Sequence, residues 1–130
     1  MDFPDNLKYT KQHEWIRIEE DGTATCGITD YAQDQLGDIV FVELPVVSDE
    51  PVTKDSPFAV VESVKAVSDV YAPLSGKIIE VNDELPNSPE ALNEDPYGDG
   101  WMVRMEPAHP EELEALLKPE AYEDFVEGLS

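Results

Sequence analysis

The chain has 130 residues, 41% of them hydrophobic, which is enough for one domain with a buried core and too little for two. Its formal charge of −22, from 30 acidic and eight basic side chains, excludes nucleic acid and anionic membrane as partners, since both demand Lys and Arg. No apolar run is long enough to span a bilayer. The start, MDFPDNLKYT, lacks the basic and apolar segments of a signal peptide and the Arg-rich character of a transit peptide. The chain therefore reads as cytoplasmic, or as a matured organelle protein with a new Met.

Such charge repels itself, and salt screens the repulsion. Two origins compete: a basic partner on one acidic face, or adaptation to the salty cytoplasm of a halophile. The acids are spread along the whole chain, which favours the second. Cys26 is the only cysteine, so no internal disulfide forms, and no Cys or His stands at metal-ligand spacing from it. It reads as a small apolar residue in a strand. His13 and His109 lie far apart and make no metal signature.

The first strand signal is EWIRIEE (Glu14–Glu20), where apolar and charged residues alternate. Asp21–Gly22 turns the chain, and Thr23–Ile28 returns as a hairpin partner. Thr29 is placed to cap a short helix over Asp30–Leu36, which Gly37 ends. Asp38–Leu44 predicts a strand, stopped by Pro45. Val46–Pro57 is an exposed connection rich in turn formers. Phe58–Ser63 and Val67–Ala72 predict two strands joined by a tight turn holding Lys65. Leu74–Asn82 follows, bent at Pro73 and Gly76.

Asp83–Gly100 is a long loop, with one helical turn predicted at Ser88–Pro89. Trp101–Glu106 is the last predicted strand. The tail predicts helix: Leu113, Leu116 and Leu117 share one face, and Tyr122, Phe125, Val126 and Leu129 another. GDIVFVELP from Gly37 and GKIIEVNDELP from Gly76 echo each other, which fits a sandwich of two similar halves. Many short strands with Gly and Pro turns favour a mainly β core.

Lys65 is one of six lysines, alone among apolar β-branched residues at a predicted hairpin tip. Val60, Val61, Val67 and Val70 are expected to anchor the flanking strands in the core. Ala66 leaves room around the amine. An ordinary solvent-facing lysine fits this placement. A catalytic lysine of lowered pKa is less well supported, because no phosphate-binding loop or carbonyl-handling set lies nearby.

Four stretches in order resemble the glycine cleavage H-protein family of lipoyl carriers. They are KYTKQHEW (Lys8–Trp15), GITDYAQDQLGDIVFVELP (Gly27–Pro45), VESVKAVSDVYAPLSGKIIEVN (Val61–Asn82) and DPYGDGWMVRM (Asp95–Met105), which together cover almost the whole chain. Generic lipoyl and biotinyl domains share only the lysine hairpin and the two-half sandwich, and the Met that flanks lysine in biotin carriers is absent here. The resemblance implies a mainly β fold: a two-half β-sandwich or flattened barrel, lipoyl-domain-like, with a short helix after the first hairpin and C-terminal helices. A single carrier domain is expected over residues 1–130, with a lipoyl-like core at about residues 23–106 and a helical segment at about residues 110–129.

The same resemblance implies that the protein is not an enzyme. Lys65, the lysine of ESVKA, matches the residue that carries lipoic acid by an amide bond. The arm would take an aminomethyl group from glycine decarboxylase (P protein) to aminomethyltransferase (T protein). Dihydrolipoamide dehydrogenase (L protein) would reoxidise it. Tethering would raise the effective concentration of the reactive sulfur at each docked partner. Glu14 of the HEW motif matches the acid that meets the amine of the loaded arm, and Asp69 is a second candidate. Gln12 stands where relatives carry a small hydroxyl residue, so no contact is transferred to it.

Glu62, Ser63 and Ala66 flank the lysine and are candidates for recognition by lipoate-attaching enzymes, or simply hairpin residues. Trp15, Trp101, Gly76 and the Leu36–Asp38 turn match the family as structural residues, and Glu43 lies in a candidate docking region. Two other functions remain open. One is a relay supplying lipoyl groups to 2-oxoacid dehydrogenase complexes. The other is a non-lipoylated acidic interaction module.

Overall fold

A computed structural model describes residues 1–129. The elements run β1 (Lys8–Tyr9), β2 (Glu14–Ile18), β3 (Ala24–Ile28), α1 (Asp30–Leu36), β4 (Ile39–Glu43), β5 (Pro57–Ser63), β6 (Val67–Tyr71) and β7 (Gly76–Val81). Then come α2 (Ala91–Glu94), β8 (Val103–Pro107), a 3₁₀ helix (Pro110–Ala115) and α3 (Pro119–Glu127). The strands form two antiparallel sheets, of order β1-β2-β3-β8-β7 and β4-β5-β6. The architecture is the expected mainly β sandwich, and no barrel closes. β4 and β7, the two strands that echo each other in sequence, each lie at the edge of a different sheet. Val52 bridges to Gly76, beside the start of β7.

Local chemistry explains most boundaries. Thr29 caps α1, its hydroxyl accepting from Ala32 N at 3.2 Å. Gly37 ends that helix with φ 81°, a left-handed geometry that costs glycine little. A Cβ at Gly76 would collide with the Glu106 carbonyl, so the close approach of β7 to β8 requires glycine there. The main core joins Ile16, Cys26 and Ile28 of the larger sheet to Val42, Val61 and Val70 of the smaller. Cys26 is buried as expected, and burial pushes its thiol up.

A second core fastens the C-terminal helix. Tyr122 of α3 stacks on Tyr9 with centroids 4.6 Å apart, beside buried Trp15 and Leu7. The Tyr122 hydroxyl also meets Thr29 Oγ1 at 2.7 Å and His13 Nδ1 at 2.9 Å. Trp15 is fully buried and donates its indole N–H to Pro96 O at 3.0 Å, whereas Trp101 is only half-buried.

Several expectations need correction. Val61 and Val70 face the core, but Val60 is half-buried and Val67 is 66% exposed. Neighbouring strand residues point to opposite faces, so Val60 and Val61 cannot both face inward, and Val67 pairs with Glu62 on the outer row. Leu113, Leu116 and Leu117 do not share a helical face. The 3₁₀ helix stops at Ala115, and Leu117 instead exchanges two backbone bonds with Tyr9, at 2.7 and 2.9 Å. Lys118, held extended before Pro119, separates this pairing from α3. Tyr122 and Val126 are buried in α3, but Leu129 lies beyond the helix and is half-exposed. The one-turn helix of the long loop falls at Ala91–Glu94, after Ser88 and Pro89.

Among the described residues only one carboxylate, that of Glu14, is buried; the other acids face solvent or are partly covered. Self-repulsion of a net −22 surface should therefore weaken the fold in dilute buffer. The thermal midpoint is expected to climb steadily from low to molar salt, as followed by circular dichroism. A flat profile would contradict this.

Candidate functional site

Lys65 sits at the tip of the β5–β6 hairpin, and the tip is built from backbone bonds. Ser63 N donates to Ala66 O at 2.8 Å and closes the turn. The Ser63 hydroxyl accepts from Ala66 N at 3.1 Å and from Lys65 N at 3.3 Å. Val64 N reaches out of the hairpin to Asp38 O at 3.1 Å, in the loop between α1 and β4. Each N–H from Ser63 to Ala66 is thus satisfied, and the tip is docked on a second element.

The lysine side chain lies across Gly37 in that loop. A Cβ added to Gly37 would stand 3.4 Å from Lys65 Cε and 3.9 Å from Nζ. Lys65 is exposed, and none of the ion pairs among the described residues includes it. In a chain with 30 acids this is an available amine on a firm base.

Glu14, on the other sheet, meets the far end of this strand pair. Its backbone opens β2, and its carboxyl is 3% exposed. Thr10 Oγ1 donates to Glu14 Oε1 at 2.7 Å and accepts from Glu14 N at 3.1 Å. The backbone N–H of Tyr71, the last residue of β6, also bonds the carboxylate. Burial pushes the Glu14 carboxyl up to about 7; the Thr10 and Tyr71 bonds pull it down, and nearby Asp55 pushes it further up. The non-glycine residues with left-handed φ among those described are His13 (70°) and Asp55 (72°), and both neighbour Glu14. Such geometry costs ~1–3 kcal/mol each and is held by the surrounding packing. A cleft of about 260 Å³ opens here, lined by Tyr9, Thr10, Lys11, Gln12, Asp55 and Leu116 among others.

β6 connects the two places. Val67 follows the Lys65 turn and Tyr71 touches Glu14, four strand steps or about 13 Å away. Asp69 lies between them, exposed, and pairs with Val60 in register.

Comparison with known proteins gives one answer. The family profile described as glycine cleavage H-protein matches residues 7–128. The chain belongs to the glycine cleavage H-protein family. It is 56% identical over 127 residues to a glycine cleavage system H protein of Anaeromyxobacter sp. (strain K), covering 98% of each chain. It is 57% identical over 123 residues to that of Alkalilimnicola ehrlichii, covering 95% of this chain and 94% of the relative. The crystal structure of a glycine cleavage system H protein from Mycobacterium marinum superposes with a TM-score of 0.84 at 41% identity, over 93% of this chain and 96% of that one. Members of this family are carriers rather than enzymes and hold lipoate covalently on a lysine.

Within an H-protein fold the candidate residues divide into two groups. Lys65, Ser63 and Ala66 share the hairpin tip; Ser63 is buried and its hydroxyl is consumed by the turn. Glu62 is half-buried on the row with Phe41 and Val67. Glu14 and Asp69 are not at the tip but along and beyond β6. Sequence reasoning missed Thr10, which clamps Glu14, and Gly37 and Asn93, which build the floor under Lys65. A Thr four residues before Glu14 was the available signal for the first.

The Glu14 carboxyl gives a pH signature. It holds its proton to about pH 7 in the fold but to about 4.5 when unfolded, so its contribution to stability is full below pH 4.5 and is lost as pH rises to 7. The change is on the order of 3 kcal/mol. Glu14→Gln lacks this titration. In urea titrations the variant should gain on the wild type by roughly that amount between pH 4.5 and 8. Parallel curves would contradict the assignment.

Proposed function

We propose that Lys65 carries lipoate, through an amide between its Nζ and the lipoyl carboxyl. The observation that supports this is the exposed amine, in no ion pair among the described residues, on a turn docked against Gly37 and Asp38. Bound there, lipoate supplies the dithiolane that takes up the aminomethyl group and electrons of glycine cleavage. The whole chain acts as a single carrier domain, in the cytoplasm.

The chain's own residues supply a rigid base and a polar far end. The turn fixes the Lys65 backbone, because Ser63 takes up two of its N–H groups and Asp38 a third. Asp69 offers an exposed carboxylate along β6, and Glu14 a sheltered carboxyl at its end, both suited to a cationic amine. Thr10 holds the Glu14 carboxyl in one orientation, and burial keeps bulk water away from it. Glu62, Ser63 and Ala66 present the lysine to a lipoate-attaching enzyme: Ser63 by shaping the turn, Ala66 by its small size, Glu62 by its charge.

The partners are glycine decarboxylase (P protein), aminomethyltransferase (T protein) and dihydrolipoamide dehydrogenase (L protein). Each meets the same tethered group, which gives a high effective concentration without a permanent complex.

A reconstituted system of the three partner enzymes with glycine, tetrahydrofolate and NAD⁺ tests this. Lys65→Arg, after treatment with a lipoate-attaching enzyme, should give NADH formation at the level without carrier, with an unchanged melting profile. NADH formation at the wild-type rate by Lys65→Arg would overturn the proposal.

A further inference from the structure

The floor beneath Lys65 is held by a residue from a distant part of the chain. Asn93, in α2, uses its whole carboxamide on the loop that follows α1. Its Oδ1 accepts from Ile39 N at 2.9 Å, and its Nδ2 donates to Gly37 O and to Gln33 Oε1, each at 2.9 Å. The two backbone contacts lie on either side of Asp38, so they pin both peptide units that flank it. Asp38 O is the group that takes Val64 N of the hairpin tip, and Gly37 is the surface under Lys65 Cε. Leu92, fully buried beside Asn93, fixes α2 in the main core.

The linkage runs in one direct line: core to Leu92, Asn93 to the Gly37–Ile39 loop, loop to Val64 and Lys65. Ile39 adds a second anchor, since it is buried in the main core and pairs with Ser63 at the base of the turn. The bond from Val64 N to Asp38 O extends the β4–β5 ladder one residue past its last pair, Ile39 with Ser63, onto a tip that projects beyond β5 and β6. Without the loop, Val64 N would have no partner in the protein.

We propose that Asn93 is a positioning residue for the acylation of Lys65: by clamping Gly37 and Ile39 it sets where Nζ stands when a lipoate-attaching enzyme presents its acyl-adenylate. In that reaction the Lys65 ammonium first gives up a proton. The free amine then attacks the acyl carbon and loses a second proton, an N–C bond forms, the acyl–O bond to phosphate breaks, and AMP leaves. The inference rests on the reading that Lys65 is the modified residue. Misplacement of an attacking atom by about 1 Å costs up to about a hundredfold in rate, so a clamp remote from the reacting atoms suffices to control it. Gly37 acts with it: its φ of 81° disfavours any other residue, and a Cβ there would stand in van der Waals contact with Lys65 Cε.

The test uses the full-length unmodified protein with a lipoate-attaching enzyme, ATP and lipoate, read by intact mass over time. Hydrogen exchange at the Val64 amide is measured on the same samples. Asn93→Ala should lower kcat about tenfold or more while KM for the carrier stays within about twofold. Val64 N–H should exchange faster. Asn93→Asp keeps the acceptor for Ile39 N but loses the donor to Gly37 O, and should fall between the two; it also serves if the alanine variant folds poorly. Gly37→Ala, disfavoured by the positive φ at this position, should also lower kcat and speed Val64 N–H exchange. Wild-type kcat in both Asn93 variants would overturn the proposal, as would a loss of rate with Val64 exchange unchanged. Wild-type protein acylated elsewhere than Lys65 would instead remove the reading on which it rests.

Discussion

The backbone N–H of Val64 donates to the carbonyl of Asp38, and through that bond the lysine-bearing tip becomes part of the loop that ends the first helix. A hairpin tip beyond the last paired residues of its strands has few constraints of its own. Here the Ser63 hydroxyl closes the turn from inside and Asp38 holds it from outside. The Thr29 cap, the Gly37 stop and the Asn93 clamp all converge on that loop. The β4–β5 pairing brings the loop beside the hairpin, and this contact carries the attachment past the last strand pair to the tip, under which Gly37 lies. A carrier needs such a base, because freedom belongs in the side chain and its attached group, not in the backbone that bears it.

Charge is arranged on the same principle. Nearly all of the acid lies on or near the surface, where salt screens it and where it costs the core nothing. Glu14 is the exception, and its burial is compensated only in part by Thr10 and Tyr71. A half-compensated carboxyl favours its neutral form alone and its charged form beside a cation. Left-handed backbone at His13 and Asp55 flanks this setting. At the other end of β6 no ion pair among the described residues includes the lysine, despite the surrounding excess of acid. One strand thus links an amine kept free to a carboxyl kept covered.

The sequence made the local features legible and left the tertiary ones unread. The cap at Thr29, the stop at Gly37 and the turn around Lys65 each follow from a residue type acting on its near neighbours. β1 is two residues long and carries no alternation, so nothing marked it as a strand until Tyr9 paired with Trp15 and Leu117. Four valines looked equally apolar, yet period-two alternation sent Val67 outward. Glu14 matched a family motif, but its burial follows from Thr10, from Ile28 paired beside it and from Tyr71 at the end of β6, none adjacent in sequence. Asn93 lay in a polar loop where nothing distinguished it from Asn87. Its importance comes from contacts to Gln33, Gly37 and Ile39, more than fifty residues away.

The central claim is that this chain is a lipoyl carrier with its cofactor on Lys65. The most direct measurement is the mass of the peptide containing Lys65, from protein made in its native host. A mass increase equal to a lipoyl amide is expected, with fragment ions assigning it to Lys65. An unmodified Lys65 in every molecule, in a host whose lipoate-attaching enzymes are present, would contradict it.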